Sequence, residues 1–278
     1  MLHQLPPEAF ARAQALFGDD QDHLAVVSAL AGESPAEVYV DDPRYPRAAL
    51  VVLWNGRLFL AGTPGDGPFA RAAAAFLRDR YTPPAGDGEP CDRTIAYTPA
   101  RWEAHLPALF GGIPSFRAER AYYRLRLTAP VVTPTLPPDF RLRPVDAALV
   151  ADTSLGNHQL LLAETQSEAP SVDDFLQQRF GYCIQHGEDL VAWCLSEYNH
   201  GDRCELGIET LPPHQRAGLG LAVAQGTIAH AQRVGMSEVG WHCWQQNLAS
   251  SALARKLGFE KVRDYPVWYC RFGQPPAP

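Results

Sequence analysis

Hydrophobic and polar positions in the second half of the chain alternate in short runs, separated by longer stretches of helical spacing. Residues 204–210 alternate as a strand, and residues 219–233 carry apolar side chains at the spacing of one helix face. The uncharged run 238–243 predicts a buried strand, and residues 250–257 predict a short helix. The remaining predicted elements are a strand at 140–144, a helix at 145–155 begun by Asp146 or a neighbour, a helix at 172–179 capped by Ser171, a hairpin of 182–185 with 190–198, and paired strands within 261–272.

The first half of the chain repeats this order of elements. Its predicted elements are strands at 37–40, 49–54 and 58–61, a glycine-rich loop at 62–67, a helix at 68–80, a strand at 94–97, a helix at 99–109 and a strand at 121–127. We interpret the repetition as two related units in tandem. The alternative is that any domain of this size that mixes helices and strands shows a similar order.

Four prolines separate the two halves. Pro130, Pro134, Pro137 and Pro138 fall within nine residues. Proline lacks the N–H that strand pairing needs, so this stretch is expected to be extended and unpaired. The sequence therefore predicts an N-terminal α/β domain at 1–129, a linker at 130–138 and a second domain at 139–278.

A glycine loop lies between the strand at 204–210 and the helix at 219–233. It reads Gln215-Arg216-Ala217-Gly218-Leu219-Gly220. The first turn of a helix has N–H groups without intrahelical partners, the helix dipole adds partial positive charge, and glycine lets a bulky anion approach the backbone. The loop therefore predicts a phosphate or pyrophosphate site. It is not a nucleotide P-loop, which needs Lys-Ser or Lys-Thr where Leu221-Ala222 stand, and it lacks the third glycine of a dinucleotide fingerprint.

Two segments together resemble the GNAT superfamily of acyl-CoA N-acyltransferases. Residues 215–220 fit the pyrophosphate loop of that family, Gln/Arg-x-x-Gly-x-Gly/Ala. Further along, Asn247 precedes a short helix, capped in our interpretation by Ser250 or Ser251, that ends in Gly258-Phe259, similar to the second family landmark. The chain looks like a bacterial GNAT branch with an extra N-terminal domain. The resemblance implies an α/β or α+β fold, with a mixed, mostly antiparallel sheet flanked by helices, and the first half is interpreted as a degenerate GNAT-like repeat.

The resemblance also implies a cofactor, acetyl-CoA, and the residues that bind it. Residues 208–210 would line the pantetheine arm, with the Thr210 N–H at the acyl carbonyl, and residues 215–220 would bind the pyrophosphate. Arg216 would add charge there, or it is simply a solvated loop arginine. The implied cofactor-binding residues are Ile208, Thr210, Gln215, Arg216, Ala217, Gly218, Leu219, Gly220 and Asn247.

Two glutamates on the strand at 204–210 are candidates for the general base of amine acetylation. Glu205 and Glu209 alternate onto one face, with Gly207 between them. Burial makes a carboxylate a better proton acceptor near neutral pH. We predict Glu209, which is nearest the loop, as the base and Glu205 as the second choice. Alternatively, one or both glutamates pair with an arginine or project into water.

The general acid departs from the family pattern. Many GNAT enzymes carry a tyrosine seven residues after the asparagine, where this chain has Ala254. Other groups that could protonate the leaving thiolate are Tyr265, Tyr269, Cys243 and His242.

Charge and cysteine content narrow the partners. The net charge is −7 over 278 residues, and lysine and arginine form no stripe, so we expect no nucleic acid partner. No apolar run is long enough to span a membrane, and the N-terminus lacks the pattern of a signal peptide. The six cysteines are scattered without a Cys-x-x-Cys pair, so we expect reduced thiols, a cytoplasmic location and no metal.

The sequence as a whole predicts an acetyl-CoA-dependent N-acetyltransferase. It would move an acetyl group by direct transfer to the amine of a small molecule or peptide, and the polar segment with His158 and Glu164 is a candidate acceptor site. The alternative is a non-catalytic acyl-CoA-binding sensor on the same fold, which the missing tyrosine would explain. A scaffold without a cofactor is a third interpretation. We expect a monomer or a homodimer.

Overall fold

The chain forms two compact units. The computed structural model describes residues 1–18, 22–65, 67–83, 89–130 and 134–273. One unit holds Met1–Arg120 together with the residues from Tyr265 onward, and the other holds Ala121–Asp264. The predicted boundary at 130–138 does not coincide with this division, and residues 131–133 of it lie outside the described part of the chain. Among the described residues, no helix has the length and apolar content needed to cross a membrane.

Twelve strands can be numbered along the described residues. They are β1 His3–Leu5, β2 Ala36–Val40, β3 Ala48–Leu53, β4 Leu58–Gly62, β5 Cys91–Thr98, β6 Ser115–Arg126, β7 Phe140–Pro144, β8 Gly181–His186, β9 Asp189–His200, β10 Arg203–Thr210, β11 Glu238–Trp244 and β12 Glu260–Phe272. The α-helices are α1 Ala11–Gln14, α2 Leu24–Leu30, α3 Pro68–Tyr81, α4 Leu106–Leu109, α5 Ala147–Ala151, α6 His158–Glu168, α7 Val172–Gln178, α8 Leu219–Arg233 and α9 Leu248–Lys256.

The second unit contains the mixed, mostly antiparallel sheet that the sequence predicts. Its strand order is β6-β11-β10-β9-β8-β7. Strands β7 to β10 pair antiparallel with their neighbours, whereas β10 and β11 are parallel and are connected through α8. Apolar side chains of one face, such as Leu206 and Trp241, pack with α8 and α9. Those of the other face, such as Trp193, pack with α5, α6 and α7.

The sheet of the first unit repeats that topology. Its order is β1-β2-β3-β4-β5-β12, and β4 and β5 are the parallel pair, connected through α3. The last strand of this sheet comes from the C-terminus, because Val267 to Phe272 of β12 pair with Ala96 to Cys91 of β5. The second unit is completed by β6, and just after that strand the N–H of Leu127 donates to the Ser237 carbonyl. This exchange of outer strands explains why the units divide near 120 and 264 rather than at the prolines.

The predicted helix starts are confirmed where a side-chain cap defines them. Asp146 caps α5 by accepting the Leu149 N–H at 2.9 Å, and Ser171 caps α7 by accepting the Asp174 N–H at 3.1 Å. Three predicted elements differ. The helix at 145–155 is only the five-residue α5, the paired strands within 261–272 are the single strand β12, and the helix at 99–109 is a 3₁₀ turn at Ala100–Ala104 followed by α4.

Candidate functional site

Strands β10 and β11 separate after a short paired region. They pair over only three positions, from Arg203 with Glu238 to Glu205 with Gly240. Beyond these pairs, residues 206–210 and 241–244 continue as strands without pairing to one another, and all of them are described. We call this opening the fork. A parallel pair that ends early leaves backbone N–H and C=O groups to be satisfied by something other than the neighbouring strand.

Backbone groups of β10 point toward the fork at alternate positions. The N–H of Leu211 donates to the Val191 carbonyl of β9 at 2.9 Å. Because successive amides of a strand point to opposite sides, those of Ile208 and Thr210 point away from β9, toward the side on which β11 lies. The Thr210 carbonyl accepts a hydrogen bond from Gln215 Nε2 at 3.0 Å, so Gln215 ties the glycine loop to the end of the strand.

The glycine loop ends in a helix start without a side-chain cap. Arg216 and Gly218 both have positive φ, 62° and 80°, and Gly218 is the N-cap residue of α8. A side chain at position 218 would meet no atom within 4 Å, so glycine is needed there for its backbone conformation rather than for space. The N–H groups of the first turn, including those of Leu219 and Gly220, have no intrahelical acceptor. The loop therefore provides the donor arrangement that the sequence predicts.

Gly220 lies against the end of β10. A Cβ atom built there would be 3.4 Å from Thr210 Oγ1, 3.8 Å from Ile208 Cδ1 and 3.5 Å from Leu253 Cδ2. The helix start, the last residues of β10 and helix α9 therefore meet at one place. Of the sequence-predicted cofactor-binding residues, the structure brings together Ile208, Thr210, Gln215 and Gly220.

Asn247 caps helix α9. Its Oδ1 accepts the Ser250 N–H at 3.0 Å, so the interpretation of Ser250 or Ser251 as the cap is wrong. Ser250 Oγ instead accepts a hydrogen bond from Trp241 Nε1 at 2.9 Å, and the buried Ser251 Oγ lies 3.5 Å from Cys243 Sγ. The cap signal was three residues before the predicted helix at 250–257, at an asparagine that was considered only for its resemblance to the family.

The two glutamates of β10 have different surroundings. Glu209 is exposed near the loop. Glu205 is only 3 % exposed, and its Oε1 lies 3.3 Å from Nε2 of His242 on β11, whose side chain is 7 % exposed. The expected partner of these glutamates was an arginine, and the histidine beside Glu205 was not predicted. The sequence shows only that Gly240 and His242 share a face of β11, whereas the placement of Glu205 opposite Gly240 comes from the register of β10 against β11.

Aromatic packing holds the histidine. The Tyr122 ring stacks on the His242 ring with centroids 4.5 Å apart and planes at 21°. On the same face of β10, the Glu197 carboxylate occupies the space above Gly207 that a side chain would fill. The face of the sheet at the fork therefore carries three carboxylates, an imidazole and a phenol ring.

The other candidates for the general acid lie in different environments. Ala254 is fully buried in the core between the sheet and α8. The position at which many GNAT enzymes have a tyrosine is therefore taken here by a small side chain that packs in the core. Tyr265 and Tyr269 belong to the first unit. There Tyr265 packs edge-on against His23, and Tyr269 stacks on Phe116.

The segment predicted as an acceptor site forms helix α6. His158 begins this helix and is 4 % exposed, and its Nε2 lies 2.8 Å from the Val150 carbonyl. That contact joins α6 to the end of α5, so His158 serves packing in this structure. Glu164 is half-buried on the same helix.

The first unit lacks the features of the fork. Its parallel strands pair from Leu58 with Ile95 to Ala61 with Thr98, which leaves one residue of β4 beyond the last pair. Helix α3 begins at Pro68, which has no N–H to donate. Both differences agree with the interpretation of this half as a degenerate repeat. Asp66, which belongs to its glycine-rich loop, lies outside the described residues.

Comparison with known proteins identifies the family. The GNAT acetyltransferase family profile matches residues 14–268. The uncharacterized N-acetyltransferase YdfB of Bacillus subtilis is 26 % identical over 270 residues, covering 97 % of this chain and 98 % of YdfB. The crystal structure of a GCN5-related N-acetyltransferase-like protein from Streptococcus suis has a TM-score of 0.70 at 21 % identity, covering 95 % and 99 % of the two chains. A tandem GNAT protein from the clavulanic acid biosynthesis pathway has a TM-score of 0.62 at 14 % identity, covering 100 % and 99 %. The chain thus belongs to the GNAT acetyltransferase family and is an N-acyltransferase.

Proposed function

We propose that this protein is an acetyl-CoA-dependent N-acetyltransferase that transfers an acetyl group directly to the amine of a small molecule or peptide. The observation that carries the proposal is the fork between β10 and β11, which opens beside the uncapped start of α8. A slot lined by backbone groups that leads to a cluster of N–H donors suits an arm with amides at one end and a pyrophosphate at the other.

The residues around the fork fit coenzyme A. Backbone groups of Ile208 and Thr210 would pair with the pantetheine amides, and Asn247 would contact the arm from the side of α9. The pyrophosphate would accept N–H groups of the first turn of α8, and Arg216 would add positive charge. Among the proposed ligands, Gln215 ties the loop to Thr210, Ala217 stands within the loop, and Leu219 and Gly220 would provide N–H donors. When bound, acetyl-CoA supplies an activated thioester carbonyl.

The acidic face of the fork favours a cationic acceptor. Glu209 is exposed near the glycine loop, and the buried Glu205 lies deeper. Opposite charges attract an ammonium group toward the thioester and then help to remove its proton. The chain carries a net charge of −7, which favours the same class of substrate.

The proposed location is the cytoplasm, with the protein as a monomer or a homodimer. All six cysteines are free thiols in the structure, and five of them are buried. Burial raises the pKa of the Cys183, Cys194 and Cys270 thiols to about 12, so these groups stay protonated and unreactive at neutral pH. Such thiols suit a reducing compartment.

A second candidate function is acyl-CoA binding without catalysis. The observation in its favour is the full burial of Ala254 at the position where the family often has a tyrosine acid. Release of coenzyme A thiol in the presence of an amine would separate the two functions, because a sensor binds acetyl-CoA but does not release the thiol.

The test is calorimetric titration of acetyl-CoA into the intact protein and into Gly218→Val. A valine at positive φ distorts the helix start, and losing even one charge-assisted hydrogen bond of about 1.5 kcal/mol weakens binding about tenfold or more. Gly235→Val is the matched control, because Gly235 also has positive φ, 91°, with no atom within 4 Å, but follows the end of α8. Unchanged affinity in Gly218→Val, or equal loss in both variants, would contradict the proposed site.

A further inference from the structure

We propose that His242 is the catalytic base that takes the proton from the acceptor amine, and that Glu205 is the residue that positions it. This inference rests on the proposed acetyltransferase function. In this inference the base is an imidazole oriented by a carboxylate, and not a carboxylate itself. The evidence is the contact of four residues at the start of the fork, which are Tyr122, Glu205, Gly240 and His242.

The pair lies where the two strands separate. Glu205 and Gly240 form the last register pair of β10 and β11, and His242 follows two residues later on the same face of β11. His242 therefore lies in the part of β11 that borders the fork, whereas Glu205 lies at its closed end. Of the two groups, the imidazole is the one on the open side.

Gly240 makes the convergence possible. A Cβ atom at this position would be 3.0 Å from Glu205 Cγ and 3.3 Å from Tyr122 Cε2, closer than ordinary contacts. The backbone of Gly240 does not have positive φ, so the glycine is there for space. Because Gly240 has no side chain, the side chain of Glu205 can extend from β10 toward β11.

The contact with Glu205 fixes the tautomer of the histidine. Nε2 of His242 lies 3.3 Å from Glu205 Oε1. A carboxylate only accepts hydrogen bonds, so Nε2 carries the proton and the lone pair is on Nδ1. A base whose other nitrogen is oriented by a carboxylate is the arrangement that activates proton transfer in many enzymes. Glu205 also stabilises the imidazolium that forms when Nδ1 takes a proton.

Burial indicates a functional reason for the pair. The side chains of Glu205 and His242 are 3 % and 7 % exposed. Removing a carboxylate and an imidazole from water is costly, and apolar residues of similar size would pack here at least as well. The stacked Tyr122 ring restricts the imidazole to one plane. The protein thus holds a polar pair in one orientation at the start of the fork.

The proton balance of the transfer is complete with this base. The acceptor enters as an ammonium and loses two protons in total. His242 Nδ1 takes the first, and the amine nitrogen then forms a C–N bond to the acetyl carbon while the C–S bond breaks and its electron pair leaves with sulfur. The second proton leaves the nitrogen as the amide forms. One proton ends on the thiolate and the other passes from His242 to water, so no tyrosine acid is required at position 254.

The groups around His242 determine how its protonation depends on pH. They are Glu205 from β10 and Tyr122 from β6, with Glu197 from β9 and Glu209 from β10 on the same face of the sheet. Glu205 is the one whose carboxylate lies beside the ring, so its neutralisation has the largest effect.

The first experiment is side-chain ¹⁵N NMR of the intact protein, with His242→Gln used to assign the resonance among the nine histidines. The expected result is the Nε2–H tautomer at high pH. Glu205→Gln should move the His242 titration midpoint down by about one pH unit, a tenfold loss of proton affinity. Glu188→Gln, an equal charge change at the exposed β8–β9 turn, should leave it in place. An Nδ1–H tautomer, or an equal shift in both variants, overturns the proposal.

The second experiment measures acetyl-CoA binding and thiol release with spermidine, tyramine and glycinamide as amine probes. His242→Gln should lower kcat by about 10²–10⁴-fold while acetyl-CoA affinity stays within threefold, since a lost general base affects proton transfer. Glu205→Gln should lower kcat with little change in the KM of the amine, and should move the acidic limb of the pH profile. Glu205→Asp should recover part of the rate.

The outcomes separate this inference from the proposed function. If the intact protein turns over an amine and His242→Gln retains a third or more of its rate, the histidine is not the base but the acetyltransferase function stands. If the intact protein binds no acetyl-CoA, both fail. If it binds acetyl-CoA but acetylates none of the probes, the sensor function is favoured and the catalytic role of His242 is rejected.

Discussion

Replacing Gly240 with alanine tests the geometry at the start of the fork. The added Cβ would lie 3.0 Å from Glu205 Cγ and 3.3 Å from Tyr122 Cε2, so both neighbours must move by a few tenths of an ångström. Neither can move easily, because Glu205 is buried beside His242 and the Tyr122 ring is stacked on that histidine. Overpacking of this kind costs about 1–3 kcal/mol.

The magnitude can be measured in two ways. Each kcal/mol lowers the Tm of a unit of this size by about 2–4 °C, so scanning calorimetry should show a clear decrease for Gly240→Ala. Acetyl-CoA affinity should change less than threefold, since the glycine loop at 215–220 is untouched. Thiol release should fall by about tenfold, because a misplacement of 1 Å costs about 10²-fold and the few tenths of an ångström expected here cost a part of that.

Gly111→Ala is the matched control. A Cβ atom at Gly111 would be 3.5 Å from the Ala108 carbonyl oxygen, an ordinary contact, and its φ is not positive. The control should stay within about 0.5 kcal/mol of the original stability. The reasoning is refuted if Gly240→Ala melts and turns over like the unmodified protein, since Glu205 and Tyr122 would then not be held as described.

Three further predictions concern helix ends, acid pH and the missing tyrosine. Asn247→Ala should lower the free energy of unfolding by about 0.5–2 kcal/mol, measured in urea, and Asn247→Asp should restore most of it because it can still cap α9. Burial, with a smaller contribution from Arg233, lowers the pKa of His230, so the fold favours its neutral form. Its contribution to stability is therefore complete above the unfolded pKa of about 6.5 and is lost as the pH falls toward the folded value, which a comparison of Tm at pH 7 and pH 5 with His230→Gln should show. Ala254→Tyr should destabilise the protein by about 1–3 kcal/mol without raising kcat, because the position is fully buried; a faster enzyme would contradict the placement.

Local signals made much of the second unit predictable. The strand ending at Thr210 and the helix at 219–233 were found to the residue, because alternation, two prolines and a glycine loop mark their limits. Asp146 and Ser171 were recognised as caps because the capping side chain is adjacent to the helix that it begins. These features depend on residues that lie within a few positions of one another, so they can be recognised from the sequence alone.

Features that depend on distant residues were not predictable. The contact of Glu205 with His242 requires the register of β10 against β11, and no single strand contains that information. Helix α6 has almost no amphipathic pattern, so its formation depends on packing against β9. The domain boundary was predicted at the prolines because a proline-rich composition is typical of linkers. Composition does not show that β12 pairs with β5, because these strands are far apart in the sequence.

The exchange of outer strands limits how this chain can be divided. A fragment of residues 1–129 would lack β12, and the edge of β5 would present unpaired N–H and C=O groups. A fragment beginning at residue 139 would lack β6 in the same way. Exposed edges of this kind promote aggregation. The two halves are therefore not separable modules. Neither half can be lost or replaced without removing an outer strand from the sheet of the other.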